Sequence, residues 1–251
     1  TEDARYACAW AAVRKRVRVV REQHTTFDGI PALIRYKNIK NLYLRVRDGH
    51  IELSVPQRIT QRELANFVSR RRAWIDDRLR LLRVRAERPA PQYAEGERIR
   101  LWGQEYTIRC QTLPCGKAYA QCEGDVIILH VSKCADVDVR RAAIEALYRV
   151  ELAAAIEREA PVCENIVGKR AARWRIRAMK TRWGSCNVRT AAITLNLWLA
   201  QYDVRALRCV ITHELTHLWV RGHNALFYAH MDRYFPGWKK VRQELNECEL
   251  I

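Results

Sequence analysis

The stretch Cys209-Val-Ile-Thr-His213-Glu214-Leu-Thr-His217-Leu-Trp-Val220 decides how the rest of the chain is read. On a helix, residues four apart share a face, so His213 and His217 can present two imidazoles to one metal ion. Glu214 lies one step round the same turn. There a carboxylate reaches a metal-activated water without ligating, as H-E-x-x-H zinc hydrolases require. With seven His and 18 Glu in 251 residues, this pattern arises by chance about once in 70 such chains. The flanks sharpen it. Leu207, Val210, Ile211, Leu215 and Leu218 are apolar at helical spacing, so the helix has a buried side, and two His and a Glu grouped on it need a reason.

A catalytic zinc takes three protein ligands and keeps a fourth position for water. The best third ligand is His223, six residues after His217, past a helix stop at Gly222 and just before a helix cap at Asn224. The rivals are His230 and Asp232 on the next helix and Glu244 or Glu247 on the last. Those acids are expected to pair with Arg233, Lys239, Lys240 and Arg242. His24, His50 and His130 stand alone and read as surface or packed histidines.

Working outward, residues 33–56 read as a hairpin: Leu42, Leu44 and Val46 alternate with polar residues, Asp48-Gly49 turns the chain, and Ile51, Leu53 and Val55 alternate back. Thr60-Gln-Arg-Glu63 is a capping box opening a helix through about Arg85, which carries Arg70, Arg71 and Arg72. Pro89-Ala-Pro91 ends it and marks a boundary. A second hairpin is predicted over 98–109, turning at Trp102-Gly103, with a strand at Val126–Val131. Asp136 or Asp138 then caps a long helix that Pro161 stops near Ala160. Residues 173–179 and 191–199 are strand-like. Asp203 caps the H-E-x-x-H helix to about Val220, Asn224 caps another, and Pro236-Gly237 precedes a last helix to about Cys248.

Composition bounds the function class. Hydrophobic residues make up 49% and charged residues 29%, which fits a folded, packed chain rather than a disordered one. No apolar run approaches the 18 residues of a spanning helix. At the N-terminus acids precede a short alanine-rich stretch and basic residues follow it, the wrong order for a secretory signal. Forty-five basic against 28 acidic residues gives +17. Residues 1–88 carry 21 basic and 10 acidic groups, 89–160 carry 9 and 11, and 161–251 carry 15 and 7. Two basic ends suggest a polyanion-facing surface, against the plainer reading of solvated helix faces in an Arg-rich chain. The nine Cys contain no C-x-x-C pair. They are expected to be free thiols packed as small hydrophobes in a reducing cytoplasm.

Residues 177–245 resemble the YgjP-like zinc metallopeptidases, related to the SprT-type minimal gluzincins. The resemblance is carried by Arg182-Trp183-Gly184-Ser185-Cys186, Ile193-Thr-Leu195-Asn196, His213-Glu-Leu-Thr-His217, His223-Asn-Ala-Leu-Phe227 and Phe-Pro236-Gly-Trp238. The upstream hairpin and helices fit the family's layout more loosely. Tyr228 stands where the family commonly has Trp, and Asn224 where Ser is usual; neither change removes a ligand. In this resemblance Trp183-Gly184-Ser185-Cys186 is a framework turn under the site, with Gly184 allowing a backbone bend and Trp183 a large buried area. Cys186 has no base beside it in sequence and is not read as a nucleophile.

The expected chemistry is amide hydrolysis. One zinc ion per chain is held by His213, His217 and His223, and Glu214 acts as general base. Tyr228, Arg182, Arg221 and Tyr234 are candidates for transition-state or substrate contact. A substrate strand is expected to add to a sheet edge at the 181–186 block or around 191–197. The contrasting reading is a nucleic-acid-binding protein with a structural metal and no hydrolase activity, its contacts made by Arg70, Arg71, Arg72, Arg175 and Arg177. SprT-type relatives cleave proteins attached to DNA, so the resemblance also admits a peptidase docked on DNA or RNA. The expected architecture is α+β: a basic hairpin-and-helix region over 1–90, a β-rich connector over 91–134, and a zincin-like core over 135–251, in which a short twisted sheet packs on helices. Partners are protein or peptide substrates, with no membrane, in the cytoplasm; the oligomeric state stays open.

Overall fold

The computed structural model describes residues 19–47, 49–86 and 90–247. Cys8, Pro89 and Cys248 lie outside them, as does Asp48 of the anticipated Asp48-Gly49 turn. The chain forms two compact units, Thr1–Pro91 and Gln92–Ile251, and is mixed α+β with small mixed sheets.

The first unit holds β1 (Val19–Phe27), β2 (Ile30–Lys37), β3 (Tyr43–Arg47), β4 (His50–Pro56), α1 (Gln61–Ser69) and α2 (Arg72–Ala86). The sheet order is β1-β2-β4-β3. The expected hairpin is β3–β4, with Leu44 opposite Leu53 and Val46 opposite Ile51. Leu33–Tyr36 belongs instead to β2, which runs parallel to β4 and forms its own hairpin with β1. That hairpin turns at Asp28-Gly29, both with positive φ (46° and 82°). It is the Asp-Gly signature of a tight primed turn. Ile34, Ile51, Leu53, Val55, Leu64, Val68 and Ile75 fill the core beneath.

Thr60 makes the full capping box with Glu63. The single helix expected beyond it is two. The Arg71 amide bonds to the Val68 carbonyl three residues back, which tightens the turn and breaks the four-residue ladder. Arg70 and Arg71 therefore sit in the break rather than on a helix face.

The second unit begins with β5 (Arg98–Leu101), β6 (Gln104–Thr112), β7 (Tyr119–Glu123) and β8 (Val126–Val131), in the order β5-β6-β8-β7. Trp102 and Gly103 turn the predicted hairpin with φ of 51° and 80°. The helix α3 (Val137–Val167) is capped by Asp136, whose carboxylate accepts from the Val139 amide. It runs through Pro161 rather than stopping there, and ends at left-handed Gly168. Proline removes one internal bond, but Cys163 and Val167 beyond it are each 2% exposed, and their burial carries the helix onward.

A three-stranded sheet follows: β9 (Arg173–Arg177), β10 (Gly184–Asn187) and β11 (Ala192–Asn196), in the order β10-β11-β9. Residues 197–199 were expected to extend the strand; they open a 3-10 turn, Leu197–Gln201, capped by the Asn196 side chain. Then come α4 (Val204–Thr216), α5 (Ala225–Tyr234) and α6 (Trp238–Glu247). The buried face of α4 (Leu207, Val210, Ile211, Leu215) meets α3, α5, α6, β10 and β11, and Arg208 of α4 pairs with Glu159 of α3.

All described cysteines are free. Cys163 and Cys209 pack inside as expected, whereas Cys110, Cys115, Cys122 and Cys134 are exposed on strands and loops. No helix among the described residues is long and apolar enough to cross a membrane.

Candidate metal centre

The site is assembled where α4 ends and α5 begins. His213 lies in the last turn of α4, and His217 is its C-cap residue. The helix stops four residues earlier than expected, yet the four-residue spacing of the two imidazoles survives. The chain then reverses, and Asn224 caps α5 by accepting from the Phe227 amide. This cap sets the return of the chain that carries His223 towards α4.

The nitrogens of His213, His217 and His223 all lie within 4.8 Å of one another, and this is the one such cluster of metal-binding side chains among the described residues. His223 Nε2 is 3.0 Å from His213 Nε2. Two nitrogens bound to one tetrahedral zinc would be about 3.3 Å apart, so the arrangement is close to what a shared cation demands. His217 Nδ1 lies 3.1 Å from the Val220 carbonyl. A carbonyl only accepts, so Nδ1 carries the proton and Nε2 is left with its lone pair.

Burial, followed by the charge of its neighbours, holds His213 well below the usual imidazole range. His217 is lowered mainly by burial, and His223 is pushed down to about 4 by burial and by His217. All three are therefore neutral near pH 7, the form that ligates. Three neutral imidazoles facing one point fit a divalent cation.

Glu214 is 2% exposed. Burial pushes its carboxyl up to about 8, against the opposing pull of Arg182. It packs against β10. A Cβ added at Gly184 would come within 2.6 Å of Glu214 Oε1. Gly184 was expected to provide a bend; it sits in a regular strand without positive φ, and its role is to leave room for that carboxyl. Trp183 is buried as expected, donating to the Leu245 carbonyl. Cys186 is raised to about 12 by burial and by Glu214. It stays a thiol, not a nucleophile.

Two residues of the motifs that carry the resemblance take places at the site that the sequence reading did not assign. Phe227 is fully buried, and its ring centre lies 4.7–4.9 Å from those of all three imidazoles. Its position four residues after His223 was the available signal. Asn196 is fully buried too. Its amide donates to the Met179 and Arg182 carbonyls, both at 2.8 Å, while its oxygen accepts from the Met179 amide. That fixes the loop from which Arg182 acts on Glu214.

Of the remaining candidates, Tyr228 stacks between His223 and Trp238, and Arg221 is exposed. Tyr234 stacks on His230, which also stacks on Trp219. Asp232 accepts from Trp238 Nε1 at 2.8 Å instead of forming the expected ion pair. Neither it, His230 nor Glu244 joins the imidazoles, and the side chain of Glu247 lies outside the described part. His24 and His50 lie in the first unit and His130 stacks on Tyr119, all away from the cluster. Arg71 lies over the Phe67 ring and Arg72 pairs with Asp76, so most of that basic run is engaged locally. Arg175 and Arg177 are exposed on β9. Of the two edges considered for substrate, β11 is paired on both sides and β10 on one.

The family model described as YgjP-like, metallopeptidase domain, matches residues 40–248. The chain is also similar to a solved structure, the metallopeptidase zymogen of Pyrococcus abyssi abylysin. The identity is 22% and the TM-score 0.33, over 36% of this chain and 90% of that one. No curated protein matches the chain.

Proposed function

The chain belongs to the YgjP-like metallopeptidase family, and from there we propose that it hydrolyses peptide bonds with one zinc ion held by His213, His217 and His223. The observation that carries this is the convergence of three neutral imidazoles beside a buried glutamate. Zinc is favoured by an all-nitrogen ligand set. Bound there, it would activate water and polarise the scissile carbonyl.

The protein's own groups do the rest. Glu214 takes the proton of the attacking water and returns it to the leaving amine. Burial alone disfavours its charged carboxylate; beside a bound cation that form is favoured, which leaves Glu214 able to accept the proton. Arg182 offsets part of the cost of the carboxylate's charge. The scissile peptide lies along β10, the unpaired edge beside Glu214, and gains backbone bonds by extending the sheet. Tyr228, beside His223, is the candidate donor to the developing oxyanion, and Arg221, exposed two residues before His223, is the candidate substrate contact. The core then has a zincin-like arrangement, with the H-E-x-x-H helix behind a short twisted sheet.

A structural metal in a nucleic-acid-binding protein is the weaker alternative. Structural zinc sites are closed by a fourth Cys or His, and a buried Glu214 would have no role. The basic N-terminal region supports docking on DNA or RNA as an addition to peptidase activity rather than a replacement, and salt-sensitive retention on DNA tests it.

Metal analysis together with Glu214→Gln tests the main reading. The expected result is one zinc per chain in both proteins and peptide cleavage only in the wild type. Wild-type protein carrying zinc but cleaving no peptide in an unbiased peptide library would overturn it.

A further inference from the structure

The three-stranded sheet has a second free edge. β9 pairs with β11 on one side and with no strand among the described residues on the other. It lies two strands from β10, roughly 10 Å across the sheet, so it is separate from the edge beside Glu214. Its sequence, Arg-Trp-Arg-Ile-Arg, alternates strictly, with Arg173, Arg175 and Arg177 exposed and Trp174 and Ile176 half-buried. None of the three guanidinium groups has an ion-pair partner among the described residues. At two residues per repeat they stand about 7 Å apart in a row.

Under the same edge is a groove of about 580 Å³ between β9 and α3. Ala153, Ile156, Trp174 and Ile176 line it together with Arg149, Glu157, Glu164 and Arg175, the middle arginine of the row. Arg149 Nη1 donates to the Ile176 carbonyl at 3.0 Å. That bond shows which backbone groups face away from β11: those of Ile176 and, by the two-residue repeat, those of Trp174.

We infer that the outer edge of β9 is a docking edge for an extended peptide whose residues alternate between acidic and apolar. Three independent features of the edge each ask for one feature of such a partner. The outward N–H and C=O of Trp174 and the outward N–H of Ile176 ask for a strand, while the Ile176 carbonyl is already bonded by Arg149. The arginine row asks for carboxylates on the exposed face, directly across from each guanidinium, where opposite charges stabilise a strand pair. The groove asks for apolar side chains on the other face, and Glu157 and Glu164 repel acids placed there. Basic side chains also keep bare edges from pairing with one another, but a deterrent edge has no need of an apolar trough beneath it. A nucleic acid strand would use the arginines and leave both the backbone groups and the groove unused. The inference depends on this sheet alone, not on the peptidase reading, and its readout is binding rather than cleavage.

The test uses the full chain carrying Glu214→Gln, so that the probe survives. A fluorescently labelled nine-residue peptide alternating Glu and Val is titrated by anisotropy. The expected result is saturable binding that weakens at least tenfold in R173E/R175E/R177E, all surface positions, and at least tenfold when Ala153→Trp fills the groove. A Lys/Val peptide should regain affinity for the charge-reversed variant, which separates charge matching from damage to the fold. Methylating alternate backbone nitrogens in one register should abolish binding, and in the other should not. The inference is overturned if the peptide does not bind or binds equally in either methylated form. It is also overturned if the Lys/Val peptide fails to recover binding, or if an oligothymidine of similar charge binds as tightly and loses affinity in the same variants.

Discussion

At Gly184 one absent methyl group decides how close β10 comes to α4. A side chain there would meet the carboxyl of Glu214, not a flexible tip with room to swing, because that carboxyl is itself buried. Gly184→Ala is therefore expected to destabilise the protein by about 1–3 kcal/mol through overpacking, and to lower kcat more than it raises KM, by displacing the proposed general base. Denaturant unfolding and steady-state kinetics check the two effects. Glu214 itself makes a prediction about pH. Its folded-state pKa, about 8, is above that of an unfolded glutamate, so folding takes up a proton between the two values. The stabilisation linked to that proton is complete below about pH 4 and is lost as pH rises through 8. A glutamine has no such dependence. In metal-free protein, Glu214→Gln should match wild type near pH 5 and exceed it at pH 8 by on the order of 2–4 kcal/mol; a gap that does not grow with pH would contradict the buried acid. The histidines were legible from spacing. The roles of Phe227 and Asn196 were not: both stand in the motifs that carry the resemblance, but what each touches depends on distant neighbours.

Between β11 and the 3-10 turn, the side chain of Asn196 ties three stretches of backbone together. Asn196→Ala should cost about 1–3 kcal/mol, because it strands carbonyls and an amide in a dry interior. It should also release the Arg182 loop and so reduce activity in excess of the loss of folded protein, measured at a temperature where both proteins remain folded. Local chemistry made several elements readable. Thr60, Asp203 and Asn224 each accept an amide bond at the helix starts assigned to them, and of the two candidates Asp136 and Asp138 it is Asp136 that caps α3. The ends were less readable. Pro161 looked like a stop, and the 61–86 stretch looked unbroken, because helix continuation depends on what the next turn buries, and that is a tertiary quantity. Alternation located β3 and β4, but it could not show that Leu33–Tyr36 pairs in parallel with β4 instead of continuing the hairpin.

Over the whole chain, the same four-strand plan occurs twice: hairpin, hairpin, with the inner strands parallel, in β1-β2-β4-β3 and again in β5-β6-β8-β7. The second set shares a compact unit with the imidazole cluster. A chain of residues 92–251 is thus expected to fold and to bind one metal ion without the first unit, as judged by circular dichroism and metal analysis. For the full chain, a chelator should lower the thermal midpoint. Metal at 100–1,000 times its dissociation constant contributes about 3–4 kcal/mol, and His223→Ala should erase most of the difference. The sequence alone determined the two-histidine helix and most helix starts, because each depends on residues within one or two turns of each other, and the charge imbalance followed from composition. The sequence favoured His223 as the third imidazole over its rivals, and the fold brings His223 to the other two. Only the tertiary structure decided that β10 rather than β11 is the free edge beside Glu214, that Gly184 is a clearance and not a bend, and that β9 offers arginines above a groove. Those facts depend on which distant segments pack together, and packing is set by the summed burial of the whole chain rather than by any local pattern.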